Sequence, residues 1–525
     1  ILAQDGSRAT ALQAVHAMAM LRVAIALLLC TPEVAAILLQ QEMRLGQQNS
    51  VGALQTAPAA SSEDLYYTEQ RVDHFNSDDN RTWAQRYFVN FTHLKPGGPI
   101  FIYIGGEGPL SNSSVSGRTA NAYFAEQVQG GTIALEHRFY GKSQPFDSLA
   151  TENLRYLTSQ QALHDLAQFQ TWITGIYSLT GSSFFCMGGS YPGNLAAWYR
   201  LKFPNMTNGC WSASGPVHAV QNWPGFGEMV WKAVATDAAG VRDDSVAVKL
   251  YAGYEQVAAL IHDATPEAWQ LLSKKLNVCP GSVVSQDDRD SLESFISTAP
   301  GIIMQYNNTN VPHLASVREI VISAETPLDA ALGVTNFLNL TAGAAGPGTC
   351  ADNSIGAFYK LLSSTSLPST GMGNAARTWT WQTCNEFGYF QKGTSTFERP
   401  TMYTRGASNQ ALWEQVCKEL FGIAAPEVGA RISATNQYYG GKNPQGITNV
   451  FFTNGGLDAW SLLSVTSYPS NGREVYAQVV PLGSHCVGLY SPSKDEVPGT
   501  ADVRDRALSL FQKWAKQAQG STLVV

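Results

Sequence analysis

A serine, an acid and a histidine occur in this chain in an order that supports covalent hydrolysis. Ser190 lies in Met187-Gly188-Gly189-Ser190-Tyr191-Pro192-Gly193, after the apolar run Ser183–Met187 and before a helix-like segment, Asn194–Phe203. A serine on a tight strand-to-helix turn among small residues is the nucleophile-elbow pattern, in which the turn lifts the hydroxyl above the sheet. The plainer reading is a glycine-rich turn with an incidental serine. A serine nucleophile needs a base, and the base an orienting acid. Of nine histidines, His485 is the one in the last strand-and-loop region, and Asp458 follows Phe451-Phe452-Thr453 and the turn Asn454-Gly455-Gly456-Leu457. The order Ser190, Asp458, His485 is that of α/β-hydrolases. The 27 residues from acid to base leave room for a helix and a strand. Singly, Asp458 could cap a helix at Ala459-Trp460 and His485 could be a loop histidine; order and strand context together favour a triad.

The tetrahedral oxyanion of acyl transfer needs two aligned N–H groups. The Tyr191 N–H opens the helix after the serine. A second would come from Gly105-Gly106-Glu107-Gly108-Pro109, with Gly106 as the candidate, since close backbone approach requires glycine. Glu107 either holds this loop or contacts a substrate amine, and the structural role is favoured. Gly141-Lys142-Ser143 resembles the end of a phosphate-binding loop, but Glu136 stands where that loop requires glycine. No His-Glu-x-x-His and no strand-linked Gly-x-Gly-x-x-Gly occurs, and His137 reads as a strand-end structural residue. The expected chemistry uses no metal and no cofactor.

Three short apolar strands, Gln85–Val89, Pro99–Ile104 and Gly131–Glu136, precede a helical stretch over Leu154–Leu179, the strand Ser183–Met187 and the helix after Ser190. Strands alternating with helices predict a parallel sheet covered on both faces. From about Val217 to Thr435, helical patterns such as Val246–Ile261, Pro266–Leu276 and Leu412–Phe421 dominate. Strand texture returns at Thr448–Thr453 and Glu474–Leu482, and a helix over Arg504–Ala518 closes the chain. The expected organisation is a signal region with upstream residues (1–36), a disordered lead-in (37–65), a first α/β-hydrolase part (66–216), a helical cap insertion (217–435) and a second α/β-hydrolase part (436–525).

Of 525 residues, 44% are hydrophobic and 14% charged, which excludes a disordered polyelectrolyte and a long coiled coil. A net charge of −7 gives no general attraction for polyanions, so nucleic-acid binding is not expected. The run Val23–Cys30, after Arg22 and before small residues, reads as a secretory signal, and Thr31-Pro32-Glu33 interrupts it before it can span a bilayer. Stable membrane insertion is therefore not expected. Sequons begin at Asn80, Asn90, Asn112, Asn205, Asn307 and Asn339. None of the eight cysteines forms a Cys-x-x-Cys pair, and three disulfides with one free thiol is the simplest accounting for the seven outside the signal segment that holds Cys30. These features predict a glycoprotein of the secretory pathway, lysosomal, vacuolar or secreted.

The chain resembles the lysosomal Pro-X carboxypeptidase and dipeptidyl peptidase II family of serine peptidases. The resemblance rests on Arg71-Val72-Asp73-His74-Phe75, Ile104-Gly105-Gly106-Glu107-Gly108, Glu136-His137-Arg138-Phe139-Tyr140-Gly141 and Gly188-Gly189-Ser190-Tyr191. It continues through Leu195-Ala196-Ala197-Trp198, Thr383-Cys384-Asn385-Glu386-Phe387-Gly388, Tyr438-Tyr439-Gly440-Gly441, Asn454–Trp460 and Gly483-Ser484-His485-Cys486. It implies an α/β-hydrolase with a helical insert over the site, Ser190, Asp458 and His485 as triad, and exopeptidase action on small peptides at prolyl bonds. It also implies bridges Cys384–Cys417 and Cys279–Cys350, and lets Cys186 pair with Cys486, which leaves Cys210 free. Two positions depart from the family pattern: Pro192, where a small residue is usual, and Gly456, where an acidic or polar residue is common. A lysosomal setting would imply a mildly acidic rate optimum. Small peptides are the expected partners, and a homodimer is compatible with the sequence. The rival readings are an esterase on the same fold and a catalytically inactive secreted peptide-binding protein.

Overall fold

The computed structural model describes residues 64–521, except 264, 308–312, 338–349, 351, 368–373, 392–399, 405, 407–409 and 470–471. The signal region and nearly all of the lead-in lie outside the described residues, as does Asn339. Ten strands are present among those described: β1 (Leu65–Arg71), β2 (Thr82–Asn90), β3 (Ile100–Ile104), β4 (Gly131–Leu135), β5 (Phe184–Gly189), β6 (Gly209–Ala213), β7 (Val220–Trp223), β8 (Gly388–Gln391), β9 (Val450–Gly455) and β10 (Val475–Val480). Eight of them form one sheet in the order β1-β2-β4-β3-β5-β6-β9-β10. The pairs β1–β2 and β2–β4 are antiparallel and the remaining pairs parallel. The antiparallel edge departs from the expected all-parallel sheet; β2 is joined to β1 by a short connection that allows only reversal.

The helices used below are α1 (Ala120–Val128), α2 (Ser159–Ile176), α3 (Tyr191–Lys202), α4 (Ala299–Gln305), α5 (Ala425–Tyr439) and α6 (Thr500–Ser521). Strands β4, β5 and β6 are buried along their whole length, and β4 and β5 accordingly read as apolar runs. One sheet face packs Phe101, Phe185, Met187, Trp211 and Phe451 against Phe124 of α1 and Phe511 and Trp514 of α6. The opposite face joins Ile102, Cys186 and Cys210 to α2, α3 and the helices that follow β6. This strand order, with a sharp turn after β5 and helices on both faces, is the α/β-hydrolase fold.

Between β6 and β9 the sheet is interrupted by helices and by a two-stranded parallel pair, β7–β8. Helix α5, at the end of this segment, runs across the boundary expected at residue 435. It is fixed to the rest by aromatic stacking: Tyr439 lies 3.9 Å from Trp198 of α3, with the rings 8° from coplanar.

The segments around Arg71–Phe75 and Glu136–Gly141 meet through one buried cation. Arg138, fully buried, donates Nε–H to Asp165 Oδ2 at 2.6 Å and Nη2–H to Oδ1 at 2.5 Å. Its other donors reach the carbonyls of Arg71, Val72 and Tyr156, so the guanidinium is fully engaged. Asp165 on α2 also accepts from His74 Nε2 at 2.8 Å. Arginine thus joins the β1–β2 connection, the β4 exit and α2. Removing one partner of such a pair strands the other charge in the interior, at a cost of about 3–5 kcal/mol. Asp165→Asn and Arg138→Met are therefore each expected to lower unfolding stability by about that amount in denaturant titration. The double replacement Arg138→Met with Asp165→Leu should cost clearly less than the two singles combined, since it leaves no lone charge.

Candidate active site

Ser190 stands between β5 and α3 with φ 64° and ψ −133°, a conformation that a residue with a side chain adopts at a cost of about 1–3 kcal/mol. Packing holds it there. A Cβ on Gly189 would lie 2.5 Å from Leu489 Cδ2 and 2.6 Å from Cys486 Sγ, so no larger residue fits before the serine. The Ser190 N–H donates to Ala213 on β6 at 2.9 Å, and the N–H groups of Gly193 and Asn194 return to the Ser190 carbonyl. Helix α3 therefore starts at Tyr191, three residues before the sequence pattern placed it. Pro192 falls in its first turn, where the missing N–H costs nothing. The Pro192 ring also fills a defined place: a Cβ on Gly106 would meet its Cγ at 2.3 Å. Proline is thus the floor on which the glycine loop after β3 rests.

Asp458 and His485 meet. Asp458 is fully buried at the end of the turn after β9, and the His485 Nδ1–H donates to its carboxylate, 3.0 Å from both oxygens. The same acid caps a short 3-10 helix, Ala459–Leu463, by accepting from the Trp460 N–H at 3.0 Å. The capping and orienting readings of Asp458 therefore hold together. Burial opposes charge on His485, but the Asp458 carboxylate outweighs it, and the imidazole pKa is held well above its ordinary value. Helix α4 closes over this pair: the Gln305 carbonyl accepts from the His485 N–H at 3.2 Å and its Oε1 from Trp460 Nε1 at 3.1 Å. Nothing in the sequence around Gln305 signals this contact.

Glu107, expected to hold its loop or contact a substrate amine, is buried close to Ser190 and His485. The Ser190 hydroxyl and His485 both lie close enough to its carboxyl to act on it, which places the two side chains around one group. Burial pushes its pKa up to about 7. Ser190, His485 and Glu107 are each 4–6% exposed. Among the described residues, the N–H groups of Gly106 and Tyr191 donate to no backbone carbonyl, whereas Gly105 donates to Leu135. Tyr191 is braced from behind. His137 Nδ1–H donates to the Arg138 carbonyl at 2.8 Å, leaving Nε2 to accept from the Tyr191 hydroxyl at 2.9 Å. Burial lowers the His137 pKa to about 4, so it stays neutral. Gln382 Nε2 donates to the same hydroxyl at 3.0 Å.

The cysteines correct one expected pairing. Cys186 bonds to Cys210, its register partner on the neighbouring strand, and Cys486 is the free thiol. Cys186 and Cys486 pack in the clusters on opposite faces of the sheet, so they cannot reach each other. Cys279 bonds to Cys350 and Cys384 to Cys417. At Gly456 a Cβ would lie 2.2 Å from the Pro481 carbonyl oxygen, which leaves no room for the acidic or polar residue common in relatives. Asn80 and Asn205 are exposed; Asn90, Asn112 and Asn307 are half-buried, and Asn90 Nδ2 donates to the Val115 carbonyl at 3.0 Å. Two cavities, of about 620 and 450 Å³, are lined by neither Ser190 nor His485; the smaller touches the acid and base loops at Leu457 and Leu482. Among the described residues no group of three His, Cys, Asp or Glu side chains could hold a metal ion, and no helix is long and apolar enough to cross a membrane.

A model of the family described as serine carboxypeptidase S28 matches residues 70–507. The chain is 31% identical over 466 residues to a protein named thymus-specific serine protease from Mus musculus, covering 87% of this chain and 88% of that one. It is 32% identical over 418 residues to one named probable serine protease EDA2 from Arabidopsis thaliana, covering 76% of each. It is 26% identical over 487 residues to one named lysosomal Pro-X carboxypeptidase from Bos taurus, covering 86% and 87%.

The raised pKa of His485 argues for a pH dependence opposite to a mildly acidic optimum. A base must be unprotonated to act, so a histidine with a raised pKa loses function as pH falls. The kcat/KM for any substrate that acylates Ser190 is expected to rise steadily from pH 5 to pH 8. A maximum near pH 5 in a stopped-time assay would contradict this.

Proposed function

The chain belongs to the serine carboxypeptidase S28 family, and from that premise we propose that it is a serine exopeptidase cleaving small peptides at prolyl bonds through Ser190, Asp458 and His485. The observation that carries the reading is the buried Asp458–His485 pair, set on the same carboxyl as a serine in strained elbow geometry. His485 takes the proton of Ser190 as the hydroxyl attacks the scissile carbonyl. Asp458 keeps the Nδ1–H directed toward itself, which leaves Nε2 as the accepting nitrogen and stabilises the imidazolium. The N–H groups of Tyr191 and Gly106 receive the oxyanion. His485 then protonates the leaving amine, and water hydrolyses the acyl-enzyme with His485 again acting as base.

Prolyl specificity and exopeptidase action come from the family reading, not from the geometry. The nearly closed site supports small substrates, since Ser190 is only 6% exposed. The Pro192 departure gives no support to an inactive protein, because the ring packs on Gly106 without interrupting α3. Three disulfides suit an oxidising compartment, and on this reading the protein works in the secretory pathway, in a lysosome or vacuole or outside the cell, with glycans on exposed sequons such as Asn80 and Asn205.

Incubation with a defined set of proline-containing peptides, read by mass spectrometry, tests the activity. Cleavage after proline is expected, and Ser190→Ala should reduce kcat on the order of 10⁴-fold or more. A fluorophosphonate should label wild-type protein at Ser190. Labelling with hydrolysis of simple esters, but no peptide cleavage, would replace the peptidase reading by an esterase. Ala in place of Gly106 should push against Pro192 Cγ and lower kcat by about 10²-fold or more with little change in KM, as loss of an oxyanion donor does. An unchanged kcat would remove Gly106 from that role.

A further inference from the structure

Among the described residues, the buried acids are matched to partners, with one departure. Glu136 pairs with Arg86, Asp165 with Arg138 and Asp458 with His485. Glu386 accepts from the N–H and hydroxyl of Ser159. Glu107 is buried as deeply, yet its Oε1 has no hydrogen-bond partner and no lysine or arginine pairs with it among the described residues. The groups that act on its carboxyl are its own N–H, the Ser190 hydroxyl and His485. A buried carboxylate oxygen without a partner is costly. The loop that carries it rests, through Gly106, on Pro192, two residues after Ser190.

We propose that Glu107 anchors the free α-ammonium group of a peptide, so that substrates enter by their amino end. The proposal rests on the reading that Ser190 is the acylated nucleophile. The charges at the site favour this end. A C-terminal carboxylate placed here would meet the Glu107 carboxyl, and of the groups that act on Glu107 only His485 could carry an offsetting positive charge. An ammonium brings a compensating charge and three donors, one of which can satisfy Oε1. Burial that holds the carboxyl near pH 7 also makes it responsive, because a cation beside it draws it into the charged form. Reach limits the product. The Glu107 carboxyl lies close enough to the Ser190 hydroxyl to be acted on by it, a charge-assisted bond to the ammonium spans about 2.8 Å, and successive Cα atoms are about 3.8 Å apart. The anchored amine therefore belongs to the residue whose carbonyl is attacked or to the one before it, and the released fragment is one or two residues long.

The test separates this anchor from the peptidase reading. Full-length Ser190→Ala protein binds ligand without turnover, so calorimetry can compare alanyl-prolyl-alanine amide with propionyl-prolyl-alanine amide, which lacks only the amino group. The amine compound is expected to bind about 10- to 100-fold more tightly, the range of a hydrogen bond to a charged group. Adding Glu107→Gln should shrink that ratio to less than about 3-fold on the same scale, and Glu107→Asp should keep part of it. Taking the ratio within each variant cancels general damage, and the isostere comparison requires no change at Glu107. Equal binding of the two compounds, or discrimination that survives Glu107→Gln, overturns the proposal. So does tighter binding of the C-terminal acid than of the amide irrespective of the amino group, which would indicate entry by the carboxyl end. Wild-type protein assayed in parallel tells the two readings apart: discrimination without any Ser190-dependent cleavage sustains the anchor and removes the peptidase, whereas cleavage without discrimination does the reverse.

Discussion

The strained turn at Ser190 is the constraint from which the rest of the site follows. A serine at φ 64° is not maintained by its own preferences. It is maintained because β5, β6 and the loop carrying His485 leave no other path: Gly189 is pressed on Leu489 and Cys486, and the Ser190 N–H is tied to Ala213. The same packing fixes the start of α3, and with it the direction of the Tyr191 N–H. Pro192 then supports Gly106, so the two strand-end loops that would share an oxyanion are in contact before any substrate arrives. Preorganisation of this kind avoids reorganisation cost during the reaction.

Around that turn the molecule separates charges that hold the fold from charges left for chemistry. Arg138 and Arg86 each neutralise an acid behind the β4 exit, where Glu136 also receives the N–H groups of Leu110 and Lys142. His137 lies between them as a neutral acceptor for Tyr191. One short segment, Glu136–Arg138, thus braces Tyr191 on one flank and the β1–β2 connection on the other. The helical segment between β6 and β9 adds a third support, since Gln305 and Gln382 reach the His485 and Tyr191 sides of the site respectively.

Much of this was legible in the sequence, and unevenly so. Strands β3, β4 and β5 were visible because burial on both faces leaves continuous apolar runs. Strand β6, Gly209–Ala213, was not, since Gly-Cys-Trp-Ser-Ala is short and mixes small with polar residues. Helix α3 was placed late because Tyr191, Pro192 and Gly193 are poor helix formers in an interior, although they are admissible in a first turn. Asp458 and His485 were singled out by order and strand context, and the structure joins them by a hydrogen bond. The pairing of Cys186 with Cys210 was not, because it depends on register between two strands, and register is a tertiary property. The setting of Glu107 escaped for the same reason: what it faces comes from β5 and from the loop after β10.

Asp458 serves two donors at once, the Trp460 N–H and the His485 Nδ1–H, from a position with no exposure to solvent. This couples local folding to chemistry in an unequal way. An amide in its place can still offer its oxygen to one donor, but its NH₂ group would turn a hydrogen toward whatever lies on the other side. If the cap keeps the oxygen, the imidazole must present a lone pair at Nδ1 and carry its proton on Nε2, the wrong tautomer for accepting one from serine. The 3-10 turn after β9 therefore does more than end a strand. It selects which nitrogen of the histidine is basic, and a chain altered there could keep its shape and its melting behaviour while the ring waits in the mute form.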